Sequence, residues 1–309
     1  MKLSAPTAAL LMLLSTAGPA AAQPPAAPAP TTASPTVAAA NAANLNISPK
    51  RVTLDRNHRS GTIFVFNQGT GPGTFDISLV DRIMLPNGRI LTVEEAQADP
   101  ATKAVADKVK SAQPILQISP RRTTLKPGEG QLIRLQVVGG ANVEPAEYRT
   151  HLTIATLPPR DAGTTAEEAA SSTTASGLSI RITALFGLSV PVIVRLSDLD
   201  VRAGFENPRL TYEDLGGPGH APRPKSPVLT LDLVRQGAGS LFGSLEVRIQ
   251  GQPRSAPIGV VHGLGVYPEI DRRTVQVVLT RAPAPGEKIE LTFTDDDTSP
   301  GKLLAKLVL

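Results

Sequence analysis

From residue 45 onward the sequence is built of short runs in which apolar and polar residues alternate, and glycine, proline or asparagine separates one run from the next. A period of two places alternate side chains on opposite faces of an extended strand. Such runs occupy residues 62–67, 74–80, 132–137, 151–155, 227–234, 243–249, 274–279 and 288–293. Closely spaced short strands joined by tight turns predict an all-β chain of sandwich type.

The length of the chain, 309 residues, is about twice that of an ordinary domain. The runs fall into two groups, and we predict a hinge at residues 196–199. This gives a domain at 45–197 and a smaller sandwich at 198–309. One segment, 93–110, is charged and lacks turn residues apart from Pro100, so a helix or a long excursion is expected there.

The first 44 residues differ from the rest. Lys2 is followed by an apolar run at 8–14 and by small residues ending at Ala22. These are the parts of a cleavable signal peptide, so we predict that residues 1–22 are removed and that the protein is exported to the periplasm. Residues 23–44 contain proline, alanine and threonine without charge, which predicts a tether. No later run is apolar enough to span a membrane.

Composition excludes several kinds of chemistry. The chain has no cysteine, which rules out disulfides, thiolate zinc sites, iron–sulfur clusters and cysteine nucleophiles. Its ten aromatic residues and net charge of +4 give no support for a nucleic-acid partner. The four histidines have no metal-ligand spacing, and no acid–base pair or nucleophile pattern is present. We therefore expect no metal, no cofactor and no enzymatic activity. We interpret residues 295–297, three aspartates, as a solvated turn, and Arg121, Arg122, Arg134 and Arg149 as exposed surface charges.

Two eight-residue segments, 47–54 and 118–125, are identical at six positions. Each has the form Ile-Ser-Pro-basic-Arg-x-Thr-Leu. The echo is too short to be a repeat architecture. We interpret it as two strands that solve the same local problem, with proline at an edge or a kink and an apolar residue returning to the core.

The most informative run follows residues 160–177, which contain no large apolar side chain and predict a loop. Apolar residues then alternate over about eleven residues or more, twice the length of an ordinary strand. They are Leu178, Ile180, Ile182, Ala184, Phe186 and Leu188. A strand of this length either spans two parts of a sheet or exposes part of its apolar face to a partner.

Over residues 45–197 the sequence resembles the periplasmic pilus-assembly chaperones of the PapD-like class. The resemblance rests on an ordered series of segments, namely 48–54, 66–67, 118–135, 147–149, 157–160 and the long run from Leu178. It implies two immunoglobulin-like β-sandwich domains in tandem. The second domain matches mainly by its position and its β character.

The resemblance also implies a mechanism. Such chaperones insert their long strand into an incomplete subunit, so the alternating residues from Leu178 to Leu188 would be the donor side chains. Arg51 falls on the position that anchors the subunit's terminal carboxylate, whereas the family's second base would lie near residues 189–191, where this chain has none. Glu147 and Arg195 fall where the family ties its domains together, although ordinary surface charges explain them equally well. The expected partners are pilus or fimbrial subunits and an outer-membrane assembly platform.

A second interpretation remains open at this point. An exported structural or adhesive surface protein could use two immunoglobulin-like domains as a spacer. The tether at 23–44 favours it, because a freely diffusing chaperone has little use for such a segment.

Overall fold

A computed structural model of the chain describes residues 43–139, 143–157, 186–216, 224–252 and 255–309. The predicted signal peptide, the tether up to residue 42, the predicted loop at 160–177 and four of the alternating residues lie outside this range. Those four are Leu178, Ile180, Ile182 and Ala184. In the described part, no helix is long and apolar enough to cross a bilayer.

The first half of the described chain forms a sandwich of two sheets with a small hairpin inserted into it. Its strands are β1 (Leu45–Ser48), β2 (Val52–Leu54), β3 (Ser60–Asn67), β4 (Gly73–Val80), β5 (Arg82–Met84), β6 (Ile90–Thr92), β7 (Leu116–Ser119), β8 (Arg122–Leu125), β9 (Gly130–Val137), β10 (Glu147–Thr156) and β11 (Gly187–Arg195). One sheet has the order β1-β3-β9-β7 and the other β2-β11-β10-β4-β8. All pairs in the two sheets are antiparallel except β2 with β11. Apolar side chains between the sheets, among them Ile63, Phe75 and Leu152, form the first core.

The two echoed segments have the same structure. The first begins as edge strand β1 of the four-stranded sheet and continues as edge strand β2 of the five-stranded sheet. The second does the same at the opposite edges, as β7 and then β8. The change of sheet occurs at Pro49 and at Pro120, each preceded by a cis peptide bond. The interpretation of the echo, with proline at a kink and a leucine returning to the core, is confirmed.

The segment 81–112, which we call the insert, lies between β4 and β7. It holds the β5–β6 hairpin and two short helices, α1 (Val93–Ala98) and α2 (Pro100–Ala106). Thr92 caps α1, with Glu95 completing a capping box, and Asp99 caps α2. Helical structure is thus confirmed within 93–110. It is split at Asp99, because that residue is extended and begins the second helix.

The second half forms another sandwich. Its strands are β12 (Ala203–Glu213), β13 (Ser226–Arg235), β14 (Leu241–Ile249), β15 (Gly259–Val266), β16 (Arg272–Val278), β17 (Ile289–Asp295) and β18 (Leu303–Val308). The sheets have the orders β12-β13-β16 and β15-β14-β17-β18. Leu231, Val247 and Phe293 lie in its core. The predicted fold class, all-β with two immunoglobulin-like sandwiches in tandem, is confirmed. The boundary between 197 and 198 stays a prediction, since the described residues from 43 onward pack as one compact unit.

Candidate functional site

The five-stranded sheet of the first sandwich presents charged side chains to the second sandwich. Thr53, Ile193 and Arg149 lie in one row across β2, β11 and β10, because the strands pair at these residues. Ile193 packs into the core of the second sandwich. Residues two positions away along each strand share this face. The face therefore carries several side chains that an isolated sandwich would expose to water.

Arg195, at the end of β11, lies at the centre of one buried cluster. Its Nε donates to Glu147 Oε2 at 2.9 Å and its Nη2 donates to Asp297 Oδ2 at 3.0 Å. The backbone N–H of Ser240 also donates to Glu147 Oε2, at 3.1 Å. The structure thus places Glu147 and Arg195 together and joins both to the second sandwich.

Burial alone would lower the pKa of Arg195, but the carboxylates of Glu147 and Asp297 outweigh it and raise that pKa. Burial would likewise raise the pKa of Asp297. The guanidinium groups of Arg51 and Arg195, with the hydroxyl of Thr53, instead hold the pKa of this carboxyl below its usual value. Both groups are therefore charged across the physiological pH range.

Arg51, the predicted carboxylate anchor, belongs to the same cluster. Its Nη2 lies 2.9 Å from Asp297 Oδ2, and its guanidinium lies over the ring of Phe242 at 4.5 Å. The side chain is 8% exposed. Its Nε and Nη1 have no hydrogen-bond partner among the described residues. An internal carboxylate therefore already occupies part of the group that was predicted to bind a partner's carboxylate.

A cleft of about 700 Å³ opens beside this cluster at the junction of the sandwiches. Acidic and basic groups share its walls. The bases are Lys50, Arg51 and Arg195, and the acids are Asp55, Asp198, Asp296 and Asp297. The walls are thus of mixed charge, and Lys50 is the base among them that is exposed to solvent.

The interpretation of residues 295–297 as a solvated turn is wrong for two of the three aspartates. Asp295 is buried and accepts hydrogen bonds from the backbone of Asp297 and Ser299. Asp297 is 10% exposed and binds two arginines of the first sandwich. Only Asp296 of this turn is exposed. The sequence reasoning failed because the partners of Asp297 lie more than one hundred residues away along the chain.

Arg149 corrects a second interpretation, since it is buried rather than a surface charge. Its Nη2 donates to the carboxylate of Glu269 and, at 2.7 Å, to the carbonyl oxygen of Arg82. Its guanidinium lies 3.9 Å from the ring centre of Tyr267. Burial raises the pKa of Glu269 despite the nearby arginine. No sequence pattern pointed to this pair, whose members are separated by 120 residues.

His151 lies two residues beyond Arg149 on β10 and is buried. Burial, followed by the positive charges of Arg149, Arg82 and Arg51, lowers its pKa to about 3. The imidazole is therefore neutral in the folded protein at physiological pH.

The other feature of interest is the free edge of β11. Residues 187–195 pair with β10 along their whole length, but β2 pairs with residues 192–194 only. Residues 187–191 thus have no strand partner on that side within the described part of the chain. Beside this edge lies a mostly apolar cavity of about 310 Å³, lined among others by Ala43, Leu45, Phe186 and Leu188.

The even-numbered side chains of β11, together with Phe186 just before it, form an apolar row that runs out of the first core. Val192 is fully buried and Val190 nearly so, Leu188 is partly buried against the core, and Phe186 is 57% exposed. The remaining predicted donor residues, from Leu178 to Ala184, would continue this row by parity but lie outside the described residues. The second base was expected near residues 189–191, which are Ser, Val and Pro, and the described part of β11 carries no lysine.

No family model and no curated protein match the chain. Similar solved structures include the E. coli chaperone DraB, with 11% identity over 86% of this chain and 96% of that chain and a TM-score of 0.41. A structure of the Salmonella enterica SafA pilin with the SafB chaperone shares 13% identity over 88% of this chain and 99% of that chain, with a TM-score of 0.41. A complex of CsuC and the tip subunit CsuE from Acinetobacter baumannii Csu pili shares 13% identity over 86% of this chain and 98% of that chain, with a TM-score of 0.41.

Proposed function

We propose that the chain is a periplasmic chaperone that binds pilus or fimbrial subunits by donating a strand to them. We propose that it is exported through the signal peptide at 1–22. In this proposal it has no enzymatic activity and needs no cofactor. An outer-membrane assembly platform is a second proposed partner, after the subunit itself.

The observation that carries this proposal is the apolar row of β11, which extends beyond the buried core of the first sandwich. The exposed fraction rises from 0% at Val192 to 57% at Phe186, while the backbone edge of residues 187–191 has no strand beside it in the described part. A strand with an open edge and a continuing apolar row can join a foreign sheet. The alternation in the sequence extends this row back to Leu178.

Side-chain burial would supply a large favourable term for client binding. Burial of one aliphatic or aromatic side chain contributes about 1.5–3 kcal/mol. If three or four donor side chains enter a subunit, they contribute roughly 5–12 kcal/mol before the cost of ordering the strand.

Arg51 remains the proposed anchor for the subunit's terminal carboxylate, under a constraint that the cleft imposes. Because Arg51 Nη2 already binds Asp297, an incoming carboxylate must share the guanidinium with Asp297 or displace it. Arg195 would still hold Asp297 after such a displacement.

The test of strand donation uses two double variants with the same added charge. Ile180→Asp with Ile182→Asp places carboxylates in the apolar row, and we expect it to abolish co-purification of clients from a periplasmic extract, with captured proteins identified by mass spectrometry. Ser179→Asp with Thr183→Asp alters the opposite face of the same segment and serves as the control, which keeps its clients. Undiminished capture by the first variant would exclude the mechanism.

The second candidate, a structural or adhesive surface protein, rests on the Pro- and Ala-rich tether at 23–44. Cell fractionation separates the two. The chaperone belongs in the soluble periplasm with an N-terminus at Gln23, whereas the spacer belongs in pilus or outer-surface fractions.

A further inference from the structure

The insert at 81–112 belongs to the first sandwich by sequence but is attached to the second. Its own small core contains Ile83, Ala96 and Ala106. The next side chain along β5, Met84, points the other way and packs into the core of the second sandwich, where Val105 of α2 also makes contact. One strand of the insert thus serves two cores.

Two hydrogen bonds donated by backbone amides strengthen this attachment. The N–H of Thr274 donates to the carbonyl oxygen of Pro86 at 2.7 Å, so the hairpin covers the free edge of β16. The N–H of Met84 donates to the carboxylate of Glu269 at 2.8 Å. At the hairpin tip, a Cβ built on Gly88 would lie 2.7 Å from Arg273 Nε, so the tip is in close contact with a side chain of the second sandwich.

Arg149 ties these parts together. It binds the carbonyl oxygen of Arg82 in the insert and the carboxylate of Glu269 in the second sandwich, while its own strand, β10, lies in the first. A buried ion pair of this kind gives a defined geometry rather than much net stability, because desolvation offsets most of its attraction.

We propose that the insert is a strut that fixes the two sandwiches relative to each other, so that the cleft keeps a single geometry when no partner is bound. In the Arg195–Asp297 cluster, Arg195 is the last residue of β11 and lies directly before the linker at 196–202. An attachment so close to a linker leaves rotation about it open. The insert attaches to different elements, at Glu269 and β16. Two separate attachments block the rotation that one would permit.

The test measures the freedom between the sandwiches directly. Because the chain has no cysteine, Gln136→Cys and Gln276→Cys can carry spin labels on exposed positions of the two sandwiches. Electron spin resonance distance measurements on the full-length protein should give one narrow distribution. Met84→Ala should broaden it and speed hydrogen exchange at the Thr274 amide by about tenfold or more, since that amide loses its partner when the hairpin detaches.

The control is Leu116→Ala, which truncates an equally buried side chain of the first core just after the insert. It should lower Tm by a similar amount and change neither the distance distribution nor the exchange of Thr274. If Met84→Ala fails to fold, Gly88→Val replaces it. Its control is Gly128→Val, at a turn with the same positive φ and with no atom near the added side chain. A narrow distribution and unchanged Thr274 exchange in the insert variant would overturn the proposal.

Discussion

The segments 47–54 and 118–125 differ at only two of eight positions, and both cross from one sheet of the first sandwich to the other. Their leucines, Leu54 and Leu125, are buried in the same core. Their arginines nevertheless have opposite surroundings. Arg51 is 8% exposed and binds Asp297 of the second sandwich, whereas Arg122 is 61% exposed and binds Asp76 on the neighbouring strand.

Local sequence therefore sets the path of the backbone, but it does not set the role of a side chain that points away from the first core. Both segments place an arginine and a threonine outside the first core. The second sandwich covers only one of the two edges. Thr53 therefore donates to Asp297, while Thr124 meets only the hydroxyl of Thr74.

Removal of the carboxylate that each arginine binds should give the largest difference in stability between the two segments. Asp297→Ala should lower the free energy of unfolding by about 3–5 kcal/mol, because two buried arginines lose a shared partner. The matching change, Asp76→Ala, removes an exposed pair and should cost less than about 1 kcal/mol. Urea denaturation of both variants measures the difference, and similar losses would contradict the contrast drawn between the two arginines.

The next change should affect both segments alike. Leu54→Ala and Leu125→Ala each create a cavity in one shared core, and each should cost about 2–5 kcal/mol. The two losses should agree to within about 1 kcal/mol, since both side chains are almost fully buried. A marked inequality in urea midpoints at constant m would mean that the segments are not structurally equivalent.

A smaller effect concerns pH on the covered side. His151 has a pKa of about 3 in the folded protein and about 6.5 when unfolded, so the unfolded state binds more protons between these values. Stability should therefore fall as the pH is lowered from 6.5 toward 3, by at most about 1.4 kcal/mol per pH unit. Loss of the Asp297 contribution begins only near its unfolded value of 3.8. Glu269, whose pKa is raised above 4.5 in the folded protein, acts in the opposite direction in this range, so the share of the histidine is the difference in slope between the wild type and His151→Leu.

His151→Leu removes the titrating group and should flatten this dependence. An equal slope in the wild type and in His151→Leu would show that the buried imidazole does not govern acid stability in this range.

Much of the fold followed from local pattern. The alternating runs at 62–67, 74–80, 132–137 and 151–155 fall on β3, β4, β9 and β10, because burial of one sheet face imposes a period of two. The capping box Thr92–Glu95 marks the start of α1 in the sequence itself and could have placed that helix more closely. The long strand is described only from Gly187 onward, so its predicted extension to Leu178 stays a prediction.

The site followed only in part. Arg51, Glu147 and Arg195 came from a resemblance, and their partners did not come from any pattern. Asp297 is 102 residues from Arg195, and Glu269 is 120 residues from Arg149. No periodicity or spacing connects positions so far apart.

By itself the sequence determined the strands, the turns and the shared local structure of the two echoed segments, since these depend on neighbouring residues and on which faces are apolar. Tertiary structure alone decided which arginine is buried, which aspartate binds it and where the insert attaches. The physical reason is that a charge takes its energy from whatever lies within a few ångströms of it, and only the packing of two distant parts of the chain brings those groups together.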